Sequence, residues 1–278
     1  MERDGKDGPG GAGAFGRRLL LSVDAKGYGG ADTLTQRQFQ EAITLTVNEA
    51  AGAAKLKRAK WKTQEGGDSL FAVLPEKASE PALVDDFMRS LEAGLRAFNS
   101  SRDPGTLLRL RAAVHFGETS PGANGFVGRA PVEIGRIRDC AALRAALDQT
   151  PDACLAVGLS ATVFHDVVRG KAYTTIGDNE FLEVPVKEKE YRGAAWIWLP
   201  GADVRQLNLR SAVLEDGQRD ANVVRGNLDV DEVGEGVYAA GVRTNRTTGT
   251  FEGTVKAHSV GPHATLIGVE QTTAGDKP

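Results

Sequence analysis

Two stretches decide how this chain folds. The first is Arg17-Arg18-Leu19-Leu20-Leu21-Ser22-Val23-Asp24, which runs into the turn Ala25-Lys26-Gly27-Tyr28-Gly29-Gly30. The second is Trp61-Lys62-Thr63-Gln64-Glu65-Gly66-Gly67-Asp68-Ser69-Leu70-Phe71-Ala72-Val73-Leu74-Pro75. In the first, the apolar run Leu19, Leu20, Leu21 and Val23 predicts a strand that delivers one carboxylate, Asp24, where a glycine turn begins. In the second, two β-prone runs flank Glu65-Gly66-Gly67-Asp68, which reads as a tight hairpin turn carrying a second carboxylate, Asp68. Taken singly, each aspartate is an ordinary turn residue. Taken together, two acids at neighbouring strand tips, beside glycines that leave room for phosphate oxygens, suit two divalent cations bound with a nucleoside triphosphate.

Working outward, residues 34–54 predict a helix, with Phe39, Ile43 and Val47 repeating every four positions and Ala50, Ala51 and Ala54 extending the face. Leu83, Phe87, Leu91 and Leu95 recur at the same interval and predict a second amphipathic helix over 80–98. Leu108, Leu110, Ala112 and Val114 alternate with Arg109, Arg111 and Ala113, a strand that ends at His115-Phe116-Gly117. A loop from Thr119 to Gly125 then leads into Phe126-Val127-Gly128 and a helix from about Pro131 to Leu147. Shorter elements follow: a strand at Cys154–Val157, a helix from Ser160 to Val168 capped by Ser160, and strands at 181–186 and 194–199. Hairpins beside helical crossovers predict an α+β fold with a largely antiparallel sheet and helices packed on it.

Composition bounds the function. A chain of 278 residues with 41% hydrophobic residues can bury a sizeable core. A net charge of −3, with no basic block longer than Lys55 to Lys60, argues against nucleic acid as the partner. No apolar run approaches the length that spans a bilayer, so no membrane partner is expected either. Cys140 and Cys154 offer neither zinc spacing nor a disulfide framework, which fits a reducing, cytoplasmic setting. Residues 1–16 are glycine-rich and read as a disordered leader rather than a signal peptide. After Pro200-Gly201 the chain turns polar and glycine-dotted with no helical period, so the division expected is 1–16, 17–200 and 201–278.

The order of these parts resembles the class III nucleotidyl cyclase catalytic domain, with its ferredoxin-like βαββαβ core, in the divergent form of high-GC bacteria. The matching pieces are Leu21-Ser22-Val23-Asp24 before a glycine turn, Gly67-Asp68 in a hairpin, and Leu110-Arg111-Ala112-Ala113-Val114-His115-Phe116-Gly117. Gly125-Phe126-Val127-Gly128 leading to Arg136-Ile137, Ser160-Ala161-Thr162-Val163-Phe164 and Val186-Lys187 complete the series. The resemblance implies that Asp24 and Asp68 hold two Mg²⁺ or Mn²⁺ ions, that Arg136 meets the α-phosphate, and that Lys187 meets the triphosphate. It implies a head-to-tail homodimer in which Arg136 comes from the facing copy. It also places Gln64, Gly67 and Gly125 at the nucleotide, with Gln64 and Gly125 at the two base-reading positions.

The departures from the family pattern are specific. Val132 stands where the family has an asparagine, and it can donate no hydrogen bond. Gln64 and Gly125 carry neither the adenine nor the guanine signature, so the base is left open. Two functions follow, a slow cyclase or a catalytically inactive cyclase-homology module that dimerises or binds nucleotide in a bacterial signalling or conflict system. A polymerase-like palm would share the acid pair but needs a basic template groove, which the sequence lacks.

In the tail, Ala221–Asn227, Gly241–Arg246 and Gly249–Val255 are loosely alike. The segment from Asn245 to Gly268 resembles bacterial amyloid-signalling motifs, which implies short stacked β-arcs and recruitment of an effector protein. The alternative is a flexible tail, poorly ordered or in short, weakly packed strands. His258 and His263, with no acid or cysteine nearby, are not expected to bind metal.

Overall fold

The structure is a computed structural model that describes residues 16–169, 173–213, 223–244 and 250–271. The leader expected at 1–16 lies outside the described residues, except for Gly16. The chain divides into two units, residues 1–213 and 214–278.

The first unit opens with β1 (Gly16–Ala25), α1 (Thr33–Ala53), β2 (Lys62–Glu65) and β3 (Ser69–Val73). A continuous helical segment follows, made of α2 (Glu80–Ala82), a π-helical turn (Leu83–Phe87) and α3 (Met88–Asn99). Next come β4 (Leu110–Gly122), β5 (Gly125–Val127), α4 (Arg129–Arg138), α5 (Ala141–Gln149), β6 (Leu155–Ser160) and α6 (Ala161–Val163), which runs into a second π turn. The hairpin β7 (Leu182–Glu188) and β8 (Tyr191–Trp198) closes the sheet. Its order is β2-β3-β1-β4-β6-β8-β7, with β5 paired to β4. Every described pair of this sheet is antiparallel except β4 with β6. The fold is therefore α+β with a mostly antiparallel sheet, as the sequence predicts.

Side-chain parity along β1 fixes which face each residue serves. Leu19, Leu21 and Val23 enter one core with Phe39, Ile43 and Val47 of α1 and Leu91 and Leu95 of α3. Leu20 enters the other, with Ile134 and Ile137 of α4 and Leu143 and Leu147 of α5. Successive strand residues point to opposite faces, so Ser22 and Asp24 share the α4 side with Leu20. By the same alternation, Arg111 of β4 lies on that side.

Three expectations change. The helix expected from Pro131 to Leu147 is two helices, because Cys140 is extended (ψ 149°) and redirects the chain. The loop expected at Thr119–Gly125 is largely strand, since β4 continues to Gly122 and pairs with β5. Gly128 stands at φ 126°, and a Cβ there would come 2.8 Å from the Glu118 carbonyl oxygen, so only glycine fits this entry to α4. The first unit also continues past residue 200, because Val204, Leu209 and Val213 are buried with the α4–α5 core.

The second unit holds four strands, β9 (Val223–Val233), β10 (Tyr238–Thr244), β11 (Thr250–Val260) and β12 (Thr265–Gln271). β9 pairs with β11 and β10 with β12, both in parallel and both at a 27-residue offset, Val223 with Thr250 and Tyr238 with Thr265. The chain thus completes one two-strand rung and repeats it. Four glycines stand in the contact between the strand pairs. A Cβ on Gly226 would collide with the Gly241 carbonyl oxygen, and one on Gly253 with that of Gly268. Strands of up to eleven residues replace the short arcs expected.

Candidate functional site

β1 and β3 bring the two acids together. Asp24 is in register with Ser69, and the next amide, Ala25 N, donates to the Asp68 carbonyl oxygen at 2.9 Å. Asp68 therefore lies in the hairpin turn beside the end of β1. The Asp24 carboxylate is ion-paired with Arg111, its register partner on β4, and both side chains are largely buried, 13% and 16% exposed. Lys26, just beyond, pairs with Asp148 of α5.

The glycine turn after Asp24 is fixed by its own polar groups. Gly27 takes φ 76°, which opens a 3₁₀ turn over Tyr28–Gly30. The Gln36 amide donates to the Tyr28 and Ala31 carbonyl oxygens, and Gln40 Nε2 donates to Tyr28 Oη at 2.5 Å. A Cβ on Gly67 would lie 3.2 Å from Tyr28 Oη, so the hairpin turn and the β1–α1 turn are packed against each other.

Gln64 and Gly125, far apart in sequence, also meet. A Cβ on Gly125, which stands at φ 109°, would fall 2.5 Å from Gln64 Oε1. Gln64 borders a cleft of about 350 Å³ whose walls include Ser22, Ser69, Phe71, Phe126 and Arg138. Phe71 and Phe126 pack at 5.4 Å between ring centroids and give the cleft an apolar wall.

The remaining expected residues are placed elsewhere. Arg136 faces Glu190, 3.7 Å away, and its Nε is buried without a partner. Lys187 is exposed on β7 opposite Arg192. Val132 is 52% exposed. Instead, Arg138 turns toward β1. Its Nη1 donates to Ser22 Oγ at 3.2 Å, and its Nε and Nη2 each donate to the Asp139 carboxylate at 2.8 Å. Burial works against its charge, but the bonds to Asp139 and the nearby carboxylates of Asp139, Asp24 and Asp68 raise its pKa above the ordinary value. Neither arginine beside the acids stood out in the sequence. Arg111 was within reach of strand parity, whereas Arg138 needed the phase and end of α4.

Among the described residues, no group of three or more His, Cys, Asp or Glu side chains could hold a metal ion, so any ion here would rest on the aspartate pair. No described helix is long and apolar enough to cross a membrane.

The sequence matches no protein-family model and no curated protein. Among solved structures, the chain is similar to the guanylyl cyclase Cya2 (14% identity, 71% of this chain and 99% of that one, TM-score 0.47). It is also similar to the guanylate cyclase domain of RhGC from Catenaria anguillulae, solved in complex with GTP (14%, 66% and 96%, TM-score 0.45). A third is the adenylyl cyclase CyaB from P. aeruginosa (10%, 67% and 95%, TM-score 0.45).

Proposed function

We propose that the first unit is a nucleotidyl cyclase-like module that takes a nucleoside triphosphate at Asp24 and Asp68 and converts it slowly to a 3′,5′-cyclic nucleotide and pyrophosphate. The observation that carries this reading is the meeting of the two acids at the ends of β1 and the β2–β3 turn, between two glycine turns. Mg²⁺ is commonly held by one or two carboxylates plus substrate phosphates. Asp24 and Asp68 meet that requirement without a third protein ligand. Two such ions, or Mn²⁺ in their place, would acidify the ribose 3′-hydroxyl and neutralise the departing pyrophosphate. The chain's own part is positional. The glycine turns leave space for phosphate oxygens, Gln64 and Gly125 border the base end, and the Phe71–Phe126 wall excludes water. Arg136 and Lys187 would serve the phosphates of a facing copy in a homodimer, for which exposed Val127 and Val132 offer apolar contact.

Turnover is expected to be slow because Val132 cannot donate a hydrogen bond to the reacting nucleotide. Losing one such donor typically costs about 10²- to 10³-fold in rate. The test incubates residues 1–213 with each of the four common ribonucleoside triphosphates and Mn²⁺ and measures pyrophosphate and cyclic product. Asp24→Ala and Asp68→Ala are expected to abolish both, and Val132→Asn to raise them. Product formation unchanged in both alanine variants would remove the enzyme. The Asp24–Arg111 ion pair favours a second reading, a module that binds nucleotide or dimerises without turnover. Nucleotide binding with no pyrophosphate release, even from Val132→Asn, would select it.

The second unit supplies the recruitment half of this reading. Its register pairs opposite charges, Asp229 with Lys256 and Arg243 with Glu270, the latter at 2.5 Å. A partner rung of the same pattern, in an effector protein or a second copy, would meet complementary charges on an open strand edge. Seeding of one full chain by another, read by sedimentation, is the expected behaviour. Its absence at all concentrations would leave the unit a self-contained fold.

A further inference from the structure

The arginine that the sequence pattern selects and the arginine of α4 that lines the cleft beside the acids are different residues. Positions 136 and 138 are two apart on one helix, so their side chains point roughly 200° apart around its axis. Arg136 is directed to Glu190. Arg138, 22% exposed, lines the cleft and bonds to Ser22 Oγ, two residues before Asp24 on the same face of β1. Arginine has five N–H donors. Three are engaged, two by Asp139 and one by Ser22, which fixes the plane of the guanidinium and leaves two for a ligand. A held, planar fork is suited to paired phosphate oxygens, and little rotamer freedom is lost when it binds. The carboxylates of Asp24 and Asp68 lie close enough to support its charge.

We infer that Arg138 is a further cation that contacts the phosphates of a nucleotide bound at Asp24 and Asp68, and that it does so from the same chain as those acids. The inference rests on the nucleotide-binding reading of the acid pair. Asp139 then has two roles: it orients the guanidinium and competes with the phosphate for its charge.

The test uses the full chain, with inorganic tripolyphosphate and Mg²⁺ as the probe because the base is open, and measures affinity by titration calorimetry. Arg138→Gln is expected to weaken binding about 10- to 100-fold, the range of a hydrogen bond to a charged group, and Arg96→Gln, at an arginine of α3 paired with Glu92, by less than about 2-fold. Arg138→Lys keeps the charge without the fork and is expected to fall between. Asp139→Asn removes the competitor and is expected to strengthen binding, whereas a purely structural Arg138 would make the same change weaken it or leave it unmoved. Mixing Asp68→Ala with Arg138→Gln chains is expected to restore no tight site, since both groups belong to one chain. Recovery of about a quarter of the sites, one of the two in each mixed dimer, would place Arg138 across a dimer interface and overturn the same-chain claim. An Arg138→Gln chain that melts like the wild type and binds equally well overturns the contact itself. A wild-type chain that binds no tripolyphosphate removes the nucleotide reading first, and the inference with it.

Discussion

The two units are held by different parts of the chain. In the first, large side chains interdigitate: Phe87, Leu91, Leu95 and Trp198 are almost fully buried, and Trp61 packs on Phe87 at 5.8 Å between ring centroids. In the second, among the residues whose burial is described, Val233 and Val242 are the buried apolar side chains, and the strand pairs meet at glycines. One fold is specified by what its side chains fill, the other by where side chains are absent. The same substitution should therefore act with opposite sign in the two.

Gly253→Ala gives the largest effect expected. Its Cβ would overlap the Gly268 carbonyl oxygen, a backbone atom that cannot swing aside, so parallel pairing in the second unit should be lost. Amide exchange would show residues 223–271 unprotected and the first unit unchanged. Gly52→Ala is the counterpart in the first unit. Gly52 is exposed near the end of α1 with nothing within 4 Å of a Cβ, so alanine should stabilise that unit by about 0.5–1 kcal/mol in denaturant unfolding. Destabilisation at both positions would dissolve the contrast.

Phe87→Ala should rank between these, costing the first unit about 3–5 kcal/mol through a cavity beside Trp61. The second unit's exchange pattern should not move.

One pH effect belongs to the first unit. His115 is buried on β4, with Nε2 3.2 Å from Glu133 and Nδ1 unpartnered. Burial pushes its pKa below the ordinary 6.5; Glu133 pulls upward, while Arg17 and Arg129 push down. The folded state thus favours the neutral ring. Its contribution to stability is present above the unfolded pKa of 6.5 and is lost as pH falls from there toward the depressed folded value. His115→Gln should flatten the stability profile over that window.

The smallest effect belongs to the charge ladder. Asp229→Asn, which leaves Lys256 without its opposite charge, should cost the second unit about 0.2–1 kcal/mol, and less at high salt.

The contrast also explains what the sequence made legible. Phe39-Ile43-Val47 and Leu83-Phe87-Leu91-Leu95 announce their helices because burial imposes a period on large residues. Asp24 and Asp68 could be paired because a strand and a hairpin each have a defined end. The break at Asp139–Cys140 was hidden, since Ile134, Ile137, Leu143 and Leu147 all face one core and read as a single helix. Arg138 was lost with it, because only the true end of α4 shows which arginine faces β1. In the second unit the true repeat spans 27 residues, and Gly226 answers Gly253 across it. A search for apolar periodicity passes over such a signal, as it is written in glycines and alternating charge.

The parallel pairing of the second unit also sets the order in which it can form. Neither described ladder joins neighbouring strands: β9 must wait for β11 and β10 for β12. At synthesis rates of about 5–20 residues per second, each first-rung strand emerges roughly one to five seconds before its partner. The first unit, whose strands all precede β9, can close its sheet before that interval begins. Nascent chains on one messenger would then present unpaired first rungs beside their neighbours' completed ones, so ribosome spacing becomes a determinant of whether a rung pairs within its own chain or with the next.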